Sequence, residues 1–319
     1  MNPKPAARKN RFARRAFPLL FTAMADPTIA DLLQRAGRPL LSFEFFPPKD
    51  DAAMDSLRST SEQLRAVRPD FVTCTYGAGG STRLRTLEVC DLLRREGFQP
   101  IMPHLTCVGS SRADLEGVAD DMYQRGYRNI MALRGDPPRG FSQFRPAPDG
   151  LSHASQLVEL LRERHPDLCC GVAGYPEMHP EAVSPEADLR HLKSKVEAGA
   201  AFITTQLFFD NKVYFDFVKR CRKAGIAQPI IPGLLPVISL KQVQRMCMMC
   251  KATLPDALAR ELAQAGPEGD AAELVGIRWA ERQIEELLAH GAPGIHLYIL
   301  NRARAVLSDE LVRFFADRG

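Results

Sequence analysis

The sequence predicts an α/β protein built as a single (β/α)8 TIM barrel, and three observations lead there. Short apolar, β-rich segments recur at regular intervals from Pro39 onward. Each is followed by a stretch whose apolar residues fall at helical spacing. The β-rich segments are apolar almost without interruption, the pattern of parallel strands covered on both faces rather than of strands with one wet side. Eight such units close a barrel, and an open doubly wound sheet is the alternative arrangement.

In order, the strands are expected over residues 40–47, 71–76, 101–107, 129–136, 169–175, 202–209, 230–237 and 294–300. Helical stripes between them include Leu189, Leu192 and Val196, then Val213, Tyr214, Phe217, Val218 and Cys221, then Ile277, Ala280 and Ile284. Residues 38–319 are assigned to the barrel and residues 1–37 to an N-terminal extension outside it. That extension carries Lys4, Arg8, Lys9, Arg11, Arg14 and Arg15 before its first acid, Asp26. It reads as a transit peptide, a signal-like segment, or an untranslated or disordered tail ahead of a start at Met24.

Composition removes several classes of function. With 319 residues, 45% hydrophobic and 25% charged, the chain is neither disordered nor fibrous. Forty-two basic against 38 acidic residues leave a net charge of +4, too even for a nucleic-acid partner to be expected. No apolar run approaches the roughly 20 residues of a membrane span, so no membrane partner is expected either. The eight cysteines are spaced unlike a disulfide scaffold and fit reduced thiols of a cytoplasmic enzyme. Cys247 and Cys250 form a lone CxxC in a helix-like stretch, which argues against a metal or redox role.

In such a barrel the C-terminal ends of the strands carry the chemistry. Polar residues with no use inside a buried strand stand at or near those ends: Glu44, Thr75, His104, Asp136, Tyr175, Gln206 and Asp210. By the two-residue period Ser42, Glu44 and Phe46 share one face, while Phe43 and Phe45 point to the helices. Glu44, flanked by aromatic rings, is expected to have a raised pKa and to act as a general acid; the alternative is a Glu paired with a buried Arg such as Arg134. Leu133-Arg134-Gly135-Asp136-Pro137-Pro138 reads as a strand ending in a turn, either functional or held by a local Arg/Asp pair. Tyr175-Pro176-Glu177-Met178-His179-Pro180-Glu181 follows strand five. With His104 and Asp136 it leaves a hydrolase metal centre as an alternative, although the usual first-strand HxH is absent. Tyr76-Gly77-Ala78-Gly79-Gly80-Ser81-Thr82 is a Gly-rich turn that matches neither GxGxxG nor the P-loop.

Taken together, these segments resemble methylenetetrahydrofolate reductase from about Leu41 to Arg302. The resemblance rests on Ser42-Phe43-Glu44-Phe45-Phe46-Pro47-Pro48, Val72 to Ala78, Pro103-His104-Leu105-Thr106-Cys107, Leu133 to Asp136, Tyr175 to Ala182, Gln206-Leu207-Phe208-Phe209-Asp210, Pro232-Gly233-Leu234-Leu235-Pro236 and Leu300-Asn301-Arg302. It implies a flavin enzyme with non-covalent FAD across the strand ends, contacted by Thr75, Tyr76, Ala78, His104, Arg134, Gly135, Asp136, Ala154, Tyr175, His179, Ala182, Asp188 and Lys195. It implies catalytic roles for Glu44 as proton donor and Asp136 as electrostatic stabiliser, and folate contacts at Asp136, Gln206, Gln242, Tyr298 and Arg302. The implied reaction reduces 5,10-methylenetetrahydrofolate with NADH or NADPH in two half-reactions at one site, and no metal. His153, His191, Ser194 and Met246 stand where the family commonly has other residues. A homo-oligomer is expected. No S-adenosylmethionine-binding regulatory domain is expected after Gly319. A non-catalytic folate-binding subunit is the remaining alternative.

Overall fold

The computed structural model describes residues 25–76, 83–137, 140, 143–306 and 308. Its strands are β1 (Leu40–Phe45), β2 (Phe71–Cys74), β3 (Ile101–Thr106), β4 (Asn129–Leu133), β5 (Cys169–Gly174), β6 (Phe202–Thr205), β7 (Ile230–Ile231), β8 (Gly233–Leu234) and β9 (Gly294–Tyr298). All pairings are parallel, in the order β7-β6-β5-β4-β3-β2-β1-β9-β8. The predicted seventh strand is therefore two pieces. Proline has no N–H to give a ladder, and Pro232 divides the strand so that β7 pairs with β6 and β8 with β9. The two halves together close the barrel.

Gly233 is required at this seam. A β-carbon there would lie 2.3 Å from the Thr205 carbonyl oxygen and 2.7 Å from the Tyr298 ring. Across the same seam the Tyr298 hydroxyl donates to the Thr205 carbonyl at 2.6 Å, and the Gly233 N–H donates to Thr205 Oγ1 at 2.9 Å.

Helices α1 (Ile29–Arg35), α2 (Asp51–Arg65), α3 (Arg83–Arg95), α4 (Arg112–Gln124), α5 (Ala154–Arg164), α6 (Pro185–Glu197), α7 (Asn211–Lys223), α8 (Leu240–Cys250), α9 (Asp256–Ala265) and α10 (Asp270–Ala289) complete the described chain. Several begin where a short polar side chain caps free N–H groups: Asp50, Ser111, Ser184, Asp210 and Ser239. Asp210, expected near the site, is thus spent as the cap of α7.

The main core lies between sheet and helices and includes Phe43 and Phe45, as the period of β1 predicts. A second cluster fills the closed end of the barrel with Leu40, Phe71, Met102, Met131, Cys169, Phe202 and Ile231, one from each of β1 to β7. Ile29 of α1 plugs it from below.

This corrects the boundary drawn at residue 37. Asp26 pairs with Arg94 at 3.0 Å. The amide of Asn129 accepts from Ile29 N–H at 2.7 Å and donates to the Pro27 carbonyl at 2.9 Å. The segment from Asp26 is part of the barrel because the strand residues at its foot would otherwise face water.

A third cluster packs Leu207 and Phe209 under α8 and α9. The apolar run after β6 is consequently buried by helices and not by strand pairing, which is why β6 stops at Thr205 although the predicted strand ran to Phe209.

Candidate active site

The strand ends open into a cleft of about 550 Å³, within the usual size range of cofactor pockets. Its floor holds Glu44 and Thr75–Tyr76 beyond β1 and β2, His104 and Thr106 of β3, and Thr204 of β6. The wall above β4 is Arg134, Gly135 and Asp136, that above β5 is Tyr175, His179 and Ala182, and α5 and α6 contribute Ala154, Asp188 and Lys195. Gln206 and Tyr298 line the opposite side. Ala78 lies outside the described residues, as does most of its Gly-rich turn.

Gln242 and Arg302 are not among the lining residues. The Gln242 carboxamide oxygen accepts from Ile238 N–H at 2.8 Å beside the start of α8. Arg302 is exposed just past Asn301. Asn301 adopts φ 53°, and its amide clamps both the N–H and the carbonyl of Phe46, at 3.1 and 2.8 Å. The Leu300-Asn301-Arg302 motif thereby ties the end of β9 to that of β1.

Glu44 does face the barrel mouth, but its surroundings differ from those expected. Phe43 and Phe45 turn away, and Glu44 Oε2 sits 3.5 Å from the Nε2 atoms of both His104 and His296. Burial is the largest influence on this carboxyl and raises its pKa, yet the two imidazoles and Thr73 outweigh it and hold the pKa below the ordinary value. The expected rise is corrected accordingly. Arg134 is not the partner of Glu44. It forks onto Glu181 at 2.9 and 2.6 Å, which also replaces the local Arg/Asp pair.

His296 escaped the sequence reading. It is in register with Ser42 on the neighbouring strand, its Nδ1 2.8 Å from Ser42 Oγ, and it is 1% exposed. The available signal was its parity with Tyr298 in a buried strand. Burial pushes the His104 pKa down to about 4, so this imidazole is neutral at pH 7. Burial likewise lowers Lys195 to about 8, partly offset by Asp188.

Gly135 adopts φ +86°, and a β-carbon there would meet Val108 Cγ1 at 2.7 Å. The turn that presents Asp136 therefore needs glycine. His179 is fixed by two bonds, its N–H to Asp188 at 3.0 Å and its Nδ1 accepting from Glu181 N–H at 3.0 Å.

Several buried polar atoms here lack a partner: His104 Nε2, Thr73 Oγ1, Thr106 Oγ1 and Thr204 Oγ1. Uncompensated buried polar groups are costly, so this floor is built to receive a polar ligand or ordered water. Among the described residues no three His, Cys, Asp or Glu side chains are placed to hold a metal ion, and none of the described helices is long and apolar enough to cross a membrane.

Comparison with known proteins adds a third line. The family model described as methylenetetrahydrofolate reductase matches residues 28–309. The chain is 38% identical over 278 residues to the 5,10-methylenetetrahydrofolate reductase of Escherichia coli (strain K12), covering 87% of this chain and 92% of that protein. It is 37% identical over 275 residues to methylenetetrahydrofolate reductase (NADH) 1 of Arabidopsis thaliana, covering 83% of this chain and 46% of that protein. The chain thus spans about half the length of the plant relatives it matches and about nine-tenths of the bacterial ones. Among solved structures, an uncharacterized protein from Clostridium thermocellum that binds two copies of 5-methyl-5,6,7,8-tetrahydrofolic acid shares the fold, with TM-score 0.62 and 14% identity over 90% of this chain and all of that one.

Proposed function

The chain belongs to the methylenetetrahydrofolate reductase family, and from that premise we propose that it reduces 5,10-methylenetetrahydrofolate to 5-methyltetrahydrofolate. The electron donor in this reading is NADH or NADPH, and the two substrates take turns at one non-covalently bound FAD. The observation that carries it is the meeting of the separate strand-end motifs in one cleft, with the Glu44 carboxyl on its floor.

The residues present fit a flavin. The unpartnered His104, Thr106 and Thr204 atoms suit a polar ring system with donors and acceptors on its edge. Arg134 and Lys195 stand where the anionic part of a dinucleotide needs charge. When bound, FAD supplies hydride transfer between nicotinamide and folate.

The protein's own part is proton and charge management. Glu44 holds the proton that N10 of the folate needs for ring opening. Its side chain is 19% exposed in the open cleft. A ligand that excludes that water strengthens desolvation, which is already the largest influence on its pKa and favours the protonated acid. Asp136 stabilises the cationic iminium electrostatically. Gln206 offers amide recognition of the pterin. Tyr298, whose hydroxyl is committed to Thr205, contributes its ring. Gln242 and the exposed Arg302 lie outside the cleft lining and suit the folate tail.

The purified protein should carry a flavin spectrum, release all its flavin on acid precipitation, and be bleached anaerobically by NADH or NADPH and recoloured by methylenetetrahydrofolate. A protein that binds flavin yet is bleached by neither nicotinamide refutes the reading.

A further inference from the structure

Two cleft side chains have no part in the function proposed above. His153, the residue before α5, and His191, on α6, lie face to face with ring centroids 5.8 Å apart and planes 18° from parallel. Both line the cleft and both are exposed at its rim. Two neutral imidazoles stack at little cost, whereas two imidazolium rings in this geometry repel unless an anion lies against them. The protonation of the pair is thus tied to what the cleft holds.

The neighbouring charges sharpen this. Around the pair stand Arg134 beyond β4, Asp136 in the following turn, His179 and Glu181 after β5, and Asp188 and Lys195 on α6. Among the described lining residues there are four carboxylates, Glu44, Asp136, Glu181 and Asp188, against two permanent cations, Arg134 and Lys195. Both cations are already engaged, Arg134 by the Glu181 fork and Lys195 by the Ala173 carbonyl at 2.5 Å. Ser194 next to Lys195 bonds back to the Arg190 carbonyl at 3.2 Å and brings no charge. A diphosphate entering this wall therefore finds no surplus of fixed positive charge, and only groups that can take up protons are able to supply it.

We propose that His153 and His191 form a proton-linked site for the phosphate groups of a dinucleotide, taking up protons as the anion binds. The assignment rests on the flavin reading for its natural ligand, FAD. Burial, His191 and Arg134 together hold His153 below the ordinary histidine pKa, so the unliganded pair is biased to the neutral form. A bound anion favours imidazolium and raises the pKa. By linkage, affinity then increases as pH falls, by up to about tenfold per pH unit for each proton taken up.

The test is release of flavin fluorescence on dilution of the full-length holoprotein between pH 6 and pH 8. The expected result is a Kd for FAD that rises several-fold per pH unit in the unaltered chain, and a markedly flatter profile in His153→Gln/His191→Gln. The comparison isolates the pair from His179 and Lys195, which remain in both proteins. Equal slopes, or a flat profile in the unaltered chain, overturn the proposal. Should the chain bind no flavin, the flavin reading falls by itself, and inorganic pyrophosphate decides the pair. Upfield-to-downfield movement of the His153 and His191 ring C–H signals on titration, as imidazolium forms, upholds the site, and unmoved signals refute it. Because this NMR measurement uses the unaltered protein, a variant that fails to fold does not block the decision.

Discussion

Replacing Glu44 with Gln is the sharpest probe of the cleft floor. The substitution keeps the size of the side chain and its capacity to accept from His296, and removes the proton and the charge. Phe43 and Phe45 are fully buried on the opposite side of β1, so the helix-facing core is untouched and the fold should survive. The loss of a general acid is worth roughly 10²- to 10⁴-fold, which at about 1.4 kcal/mol per tenfold corresponds to about 3–5 kcal/mol on the barrier. That loss belongs to the folate half-reaction alone, because delivery of hydride from nicotinamide needs no proton from Glu44. Anaerobic stopped-flow separates the halves: flavin bleaching at a near-normal rate, and recolouring by methylenetetrahydrofolate slowed by at least two orders of magnitude. A Glu44 that only holds the two imidazoles in place would slow both halves and loosen the flavin together. An unimpaired folate half-reaction in Glu44→Gln would refute its role as the proton donor.

Two further expectations concern the scaffold. Ile29 is wholly buried against the foot of the barrel, so Ile29→Ala should cost about 2–5 kcal/mol, read as a lowered Tm, while a chain beginning at Met24 should melt like the full chain. A loss as large on removing residues 1–23 as on Ile29→Ala would show that the foot of the barrel depends on more than α1. Asp120 is clasped by Arg164 at 2.5 and 2.6 Å and by His165 at 2.9 Å, and chiefly the Arg164 bonds hold its pKa down to about 2 from 3.8. Its folded pKa is depressed, so its stabilisation is complete above about pH 4 and is lost as pH falls toward 2. Asp120→Asn should therefore be less stable at neutral pH and converge on the unaltered protein in acid; a stability gap that does not narrow between pH 4 and pH 2 would refute the clasp.

The alternation of apolar strands and amphipathic stripes was enough to specify the barrel, because parallel strands covered on both faces leave an unbroken apolar signature. The same periodicity placed Glu44 at the mouth and Phe43 and Phe45 in the core, since side-chain parity is a local property of extended backbone. Strand lengths were less legible. Leu207 to Phe209 are as apolar as any ladder residue, but α8 and α9 bury them, and no local pattern distinguishes burial by a helix from burial by a strand. Ile29 looked like part of a tail, because its seven partners at the barrel foot are scattered over two hundred residues of chain.

The site divides in the same way. Its members were legible as polar residues that a buried strand cannot otherwise use, and most of them line the cleft. Their electrostatics were not. The local sequence around Glu44 is aromatic and argues for a raised pKa, whereas the closed barrel sets His104 and His296 3.5 Å from its oxygen and reverses the direction. A pKa depends on charges within a few ångströms in space, and those charges come here from strands 60 and 252 residues away in the chain. What a residue is and which face it takes are written locally; which charge it meets is decided only when β1, β3 and β9 close on one another.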